Sequence, residues 1–141
     1  MHLTKATGYA LRLLIFVGNH QGRLCNISEI ANTFHVPESH MMKITHQLAL
    51  SGVIETVRGK GGGMRLAKPP QSIVLGDVIR LMEPDFHIVE CFSTTGQCRI
   101  DSNCRLASVL NDALSDFLSR LDGYTLADIL LPISHPVRFQ K

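Results

Sequence analysis

Three patterns in the sequence predict a mainly α-helical fold carrying one small β-hairpin. First, apolar residues recur at helical spacing near the start of the chain, at Leu3, Ala6, Ala10, Leu11, Leu14 and Ile15, and again between Arg105 and Leu121. Second, "SEIANTF" and "ESHMMKITHQLAL" read as two helical segments separated only by the turn "HVP". Third, "VIETVRGKGGGMRLAKPP" carries apolar positions on either side of four glycines, as a hairpin with a glycine-rich tip does. A chain of 141 residues has room for one domain with a core and one additional element.

Each element has its own local signal. The first helix covers residues 3–17 and ends where "GNHQGRLC" brings in two glycines. Asn26 or Ser28 caps the second helix, and Glu29 stands three residues after Asn26. Pro37 suits the first turn of the third helix, because its missing N–H would have no partner there. That helix runs from Glu38 to Leu50 and stops at Ser51-Gly52. The apolar alternation starts at Val53 or Ile54, reaches Val57 and resumes at Met64 and Leu66. Pro69-Pro70 ends the hairpin, and "VLGDVIRLME" is a short helix closed by Pro84. Residues 91–104 show no periodicity and read as a loop. Leu106, Val109, Leu110, Ala113, Leu114, Phe117, Leu118 and Leu121 then form one long apolar stripe, and Thr125 caps a last short helix in "TLADILL". A short helix, a three-residue turn, a second helix and a hairpin in succession make the winged helix-turn-helix pattern. The expected division is a winged helix-turn-helix domain over 1–84 and a loop over 85–104. A long helix with a short terminal helix then covers 105–131, and a mobile tail covers 132–141.

The composition is ordinary for a soluble globular chain, 45% hydrophobic and without tryptophan. The longest early apolar run, "LLIFVG", is far shorter than the roughly 20 residues that span a membrane. No small-residue cleavage site follows a long apolar stretch, so no secretion signal is expected. The expected location is the cytoplasm, where thiols stay reduced. An enzyme is not expected. There is no nucleophile–base motif, and "GKGGG" lies in a hairpin and lacks the Ser or Thr that ends a phosphate loop. Seven histidines are present, and no pair has the helical spacing of a zinc protease motif.

The net charge of +2 says little, but its distribution says more. Residues 58–68 hold four basic residues and no acidic one, the footprint of a surface for a polyanion. On the third helix, Met41, Ile44, Thr45 and Leu48 share the face that packs inward, while Ser39, His40, Met42, Lys43, His46 and Gln47 point away. The outer face offers hydrogen-bonding groups and a cation, with no carboxylate beyond Glu38 at its start. Early residues of the second helix of a helix-turn-helix read base edges in the major groove. The candidates for DNA contact are therefore Ser39, His40, Met42, Lys43 and His46, with Ser28 on the preceding helix. At the hairpin tip Arg58 and Lys60 supply charge, and the glycines let backbone approach a phosphate or a narrow minor groove. A solvated helix face beside a flexible loop is the alternative.

Three cysteines, Cys91, Cys98 and Cys104, crowd into "CFSTTGQCRIDSNC", with six residues in the first gap and five in the second. Buried structural cysteines lie on apolar periodic stretches, and these do not. Zinc sites favour gaps of about two to four residues between paired ligands. Longer gaps suit a bulkier object such as a cubane iron–sulfur cluster, which soft thiolates bind. Zinc and a thiol switch stay open as alternatives. Cys25, just before the second helix, reads as a small half-buried residue.

These residues carry a resemblance to a known family. "LTKATGYALRLLIF", "HMMKITHQL", "VRGKGGGMRLAKP", "GDVIRLMEP", the three-cysteine loop followed directly by "RL", and "LDGYTLADIL" together resemble the iron–sulfur winged-helix transcription regulators of the NsrR/IscR/RirA family. The likeness covers nearly the whole chain and is greatest to the nitric-oxide-sensing repressors among them. It implies a homodimer joined through the helix after Cys104, along Leu106, Val109, Leu110, Ala113, Leu114, Phe117 and Leu121. It also implies an iron–sulfur cluster on Cys91, Cys98 and Cys104, [4Fe–4S] in preference to [2Fe–2S]. Palindromic double-stranded operator DNA would bind the Glu38–Leu50 helix and the Arg58 wing, nitric oxide would be the signal, and no membrane is involved. One position departs from the pattern: where such repressors carry an Asp that completes the cluster, this chain has Gly8, with the cationic Arg12 one turn on. His2, His87, Glu90, Asp101, a small thiol or water are the substitutes. Sensing of iron or of cluster status is the alternative that this departure favours.

Overall fold

The computed structural model describes residues 2–89, 92 and 104–131. Helix α1 (Lys5–Asn19) begins where the Thr4 hydroxyl accepts the Thr7 N–H. This cap leaves Leu3 outside the helix and exposed, which shifts the start from the expected position. At the other end Gly18 continues the helix instead of breaking it. Its bare Cα faces Leu130, and a Cβ there would come within 2.7 Å of the Leu130 side chain. The buried face of α1 is Thr7, Ala10, Leu13, Leu14, Val17 and Gly18.

Helix α2 (Ile27–Phe34) is capped by Asn26, whose Oδ1 accepts the Glu29 N–H at 2.8 Å. It closes at His35 in the left-handed region, φ +53°, and the Val36 N–H returns to the Ala31 carbonyl at 3.0 Å. This tight closure lets Val36 bury and lets α3 (Glu38–Leu50) begin directly after Pro37. Met41, Ile44, Thr45 and Leu48 are buried, so the inward face of α3 is the one its periodicity predicts.

Strands β1 (Ile54–Val57) and β2 (Gly63–Leu66) pair antiparallel, with Ile54 opposite Leu66 and Val57 opposite Gly63. The wing is tied to the helix before it, because the Val53 N–H donates to the Leu48 carbonyl at 3.0 Å. Cys25 and Met64 exchange both backbone hydrogen bonds, at 2.9 and 2.8 Å, so the segment before α2 adds a one-residue third strand. That pairing buries Cys25 fully, where the sequence suggested half burial, and desolvation pushes its thiol pKa up. It also explains Gly63, since a Cβ there would lie 2.6 Å from the Cys25 carbonyl oxygen.

A 3₁₀ turn at Pro70–Ser72 leads into α4 (Leu75–Met82). Helices α5 (Arg105–Asp122) and α6 (Leu126–Ile129) follow. Thr125 and Asp128 form a reciprocal capping box at the start of α6. The Leu75 N–H donates to the Tyr124 carbonyl at 2.9 Å and the Leu126 N–H to the Ile73 carbonyl at 2.7 Å. Leu126 is thereby buried in the same core as Leu13, Leu14, Met41, Leu48 and Ile54. Each such burial is worth about 2 kcal/mol. Helix α5 is the opposite case: none of its residues is buried. It is fastened to α4 by Arg80, whose guanidinium grips both oxygens of Asp122 at 2.6 and 2.8 Å. The tail expected over 132–141 lies outside the described residues. Among the described residues no helix is long and apolar enough to cross a membrane.

The grip of Arg80 holds the Asp122 carboxyl below the usual carboxylate range. A folded-state pKa below the unfolded one contributes stability that is present above the unfolded pKa and lost as pH falls through the folded one. Asp122→Asn should therefore lower the unfolding midpoint at pH 7, and the difference from wild type should shrink as pH falls below the ordinary carboxylate range. Thermal melts of both proteins across that range measure it.

Candidate nucleic-acid interface and cluster loop

The outer face of α3 is exposed along its length: Ser39, His40, Met42, Lys43, His46 and Gln47 all reach solvent. Met42 is 58% exposed on this face, and its side chain has the apolar surface that a thymine methyl would cover. Pro37 makes no side-chain cap hydrogen bond, so the start of α3 has no capping side chain. A helix start of this kind attracts anions through its N–H groups and dipole. Ser28 lies exposed in the first turn of α2, beside a second helix start.

At the wing tip, the Gly62 N–H donates to the Gly59 carbonyl at 2.9 Å, closing a four-residue turn over Lys60 and Gly61. Gly61 has φ +78°, the left-handed conformation required at the third position of a type II turn. A Cβ on Gly62 would lie 2.2 Å from the Val57 carbonyl oxygen, so the close turn excludes any side chain there. Arg58 and Lys60 thus project from a defined turn rather than a floppy loop. Among the described residues, Lys43, Arg58 and Lys60 form no ion pair. Arg65, on the same hairpin, is engaged by Glu55 across the strands. Arg23 is likewise taken up by Glu29, whose carboxyl it holds below its ordinary pKa.

Two features of this face escape sequence reasoning. Gln47 points outward on the helical wheel, yet its Nε2 donates to the Leu81 carbonyl of α4 at 2.8 Å. And α1 reaches the start of α3: the Tyr9 ring lies 6.5 Å from the His40 ring, with the Arg12 guanidinium 5.9 Å from the centre of the Tyr9 ring. Neither pairing leaves a local signal, because the partners lie on different elements.

Of the three clustered thiols, Cys91 and Cys98 lie outside the described residues, as do Glu90 and Asp101. Cys104 is half-buried at the N-terminal cap of α5, and its side chain makes no cap hydrogen bond. This donor chemistry, soft sulfur with one member at a helix start, fits an iron–sulfur group. His2 and His87 line one open cleft of about 590 Å³, together with Thr4, Glu83 and the Leu114 and Phe117 side chains of α5. Among the described residues no three of His, Cys, Asp and Glu converge to hold a metal. Gly8 has ordinary helical backbone, and a Cβ there would meet nothing within 4 Å.

The apolar stripe of α5 divides between two directions. Leu114 and Phe117 turn toward the cleft shared with the start of the chain. Leu106 and Val109 are 63% and 62% exposed, Ala113 is exposed, and Leu110 and Leu121 are half-buried.

Comparison with known proteins places this architecture. The chain is 46% identical over 132 residues to the HTH-type transcriptional regulator NsrR of Bacillus subtilis (strain 168), covering 92% of this chain and 90% of that protein. It is 47% identical over 132 residues to the NsrR of Geobacillus kaustophilus (strain HTA426), with the same coverage. Among solved structures, T. potens IscR superposes with a TM-score of 0.74 at 25% identity, covering 92% of this chain and 85% of that one. CymR, the global cysteine regulator of B. subtilis, superposes with a TM-score of 0.73 at 23% identity, over 92% and 95% of the two chains, and shares the fold. Such proteins are DNA-binding regulators and not enzymes, in agreement with the sequence. The family model that matches residues 3–131 is that of the iron-dependent transcriptional regulators called Rrf2, and this chain belongs to that family.

Proposed function

We propose that this chain is a cytoplasmic, homodimeric transcriptional repressor that binds a palindromic operator and releases it when nitric oxide damages an iron–sulfur cluster. The observation that carries the proposal is the identity of 46–47% to two NsrR proteins, joined to three cysteines in the sequence 91–104 that leads into α5. The carboxylate-poor face of α3 and the unpaired cations of the wing support DNA as the ligand. Ser39, His40, Met42, Lys43 and His46 read the major groove. Ser28, Arg58 and Lys60 hold phosphates or the minor groove. The exposed Leu106 and Val109, with Leu110, Ala113 and Leu121, form the seam between two copies of α5, and Leu114 and Phe117 reach it from the cleft at its edge. Cys91, Cys98 and Cys104 hold the cluster, [4Fe–4S] in preference to [2Fe–2S]. When bound, the cluster supplies iron that reacts with nitric oxide.

Gly8 favours a second reading. A position that offers no side-chain ligand leaves one iron corner to a small thiol, to water or to His2 or His87. An open corner also suits sensing of iron or cluster status. Titration with nitric oxide and with an iron chelator separates the two readings. Loss of operator binding when nitric oxide is added to the iron-replete protein supports the first, and loss when chelator removes iron with none on nitric oxide supports the second.

Three variants test the proposal. Cys98→Ala should bind operator at least about tenfold more weakly than loaded wild type in a mobility-shift assay; equal binding would remove the cluster from the mechanism. Arg58→Ala should weaken binding and reduce the slope of log affinity against log salt by about 1. Gly8→Asp should raise helix stability by about 0.3–0.5 kcal/mol, because Asp is the better helix former and sits near the start of α1. In the same variant, iron should leave more slowly when challenged with a chelator, followed by absorbance.

A further inference from the structure

The last turn of α4 is a junction of three elements. One oxygen of Glu83, Oε1, accepts the Thr4 N–H at 2.8 Å, the Thr4 hydroxyl at 3.2 Å and the Thr7 hydroxyl at 2.5 Å. Thr4 is the N-cap of α1, and Thr7 is a fully buried polar side chain in its first turn. A carboxylate from 76–79 residues away therefore completes the start of α1, where the helix dipole favours negative charge. Two residues before Glu83, the Leu81 carbonyl accepts from Gln47 of the recognition helix at 2.8 Å. The residue after Glu83 is Pro84, which stops α4, and the chain then runs on toward Cys91. Residues 81–83 thus touch α1 on one side and α3 on the other, at the point where α4 hands over to the segment that carries the thiols.

We propose that Glu83 is a positioning residue through which the state of that segment sets the placement of α1 and of the recognition helix. This rests on the cluster-gated reading above. A displacement of residues 84–89 pulls on Glu83, frees the Thr4 and Thr7 hydroxyls and shifts the Leu81 carbonyl that holds Gln47. The two recognition helices of a dimer must meet half-sites at a fixed separation, so a small shift weakens both contacts together. A carboxylate that merely capped α1 would stabilise the fold and leave the difference between the two states unchanged.

The discriminating quantity is the ratio of DNA affinities between two preparations of the full-length chain. One is reconstituted anaerobically with iron and sulfide, and the other is stripped with chelator. The probe is a duplex selected from random DNA by the loaded wild type. Wild type should show a ratio of about tenfold or more. Glu83→Ala and Thr7→Val, the second an isosteric loss of the hydroxyl donor, should reduce the ratio below about threefold while the absorption spectrum of the loaded protein stays unchanged. Glu83→Gln, which keeps an acceptor oxygen, should restore most of it. Hydrogen exchange of the α3 amides should respond to stripping in wild type and not in Thr7→Val. If Thr7→Val or Glu83→Ala keeps the wild-type ratio, with or without a lower melting temperature, the relay through Glu83 is wrong. If Glu83→Ala fails to fold, Thr7→Val decides. A wild-type ratio of one would instead overturn the gating itself, and the relay with it.

Discussion

The packing of α3 on α1 is the constraint from which the rest of the structure follows. Met41, Ile44 and Leu48 bury completely or nearly so in the same core as Ala10, Leu13 and Leu14. A helix has one apolar stripe, and using it here buries Thr45 with it and leaves the other polar residues of α3 on the outside. The wing inherits its place from the same packing, because Val53 is tied back to Leu48 and Met64 is paired with Cys25. Core and exposed polar face are thus two sides of one helix, and a change on the inner side moves the outer side with it.

The second half of the chain is joined to this core in two physically different ways. Helix α6 is tied by backbone hydrogen bonds to residues 73–75 and by the buried Leu126, a fully desolvated contact. Helix α5 is held at its C-terminal end by the exposed Arg80–Asp122 pair and leaves its apolar residues half-covered or bare. Exposed ion pairs are weak, about 0–1 kcal/mol, so α5 is the element whose position a partner helix can set. Its N-terminal end carries Cys104, which puts a thiol at one end of a helix and a bidentate clamp to α4 at the other.

Electrostatics sort the cations into those already used and those left for a ligand. Arg23, Arg65 and Arg80 are each paired with a carboxylate of their own chain. Among the described residues Lys43, Arg58 and Lys60 are not. The small net charge conceals this sorting, because balanced pairs cancel in the sum while Lys43 on α3 and Arg58 and Lys60 on the wing keep their charge.

By itself the sequence determined everything that depends on neighbours in the chain. Periodicity selected the inward face of α3, Asn26 and Thr125 announced their caps, and the glycines of "GKGGG" marked a turn, because these effects act over about one helical turn or one hairpin. The same local logic misjudged Gly18, since only the approach of Leu130 shows why a glycine continues that helix. Only the tertiary structure decided how distant donors and acceptors are used. It engages Gln47 with Leu81, pairs Arg65 with Glu55, buries Cys25 beneath a strand bridge and brings Glu83 to the hydroxyls of Thr4 and Thr7. The buried Thr7 hydroxyl must find a partner wherever the fold puts one, and Glu83 stands far along the chain, where no spacing or composition could reveal it.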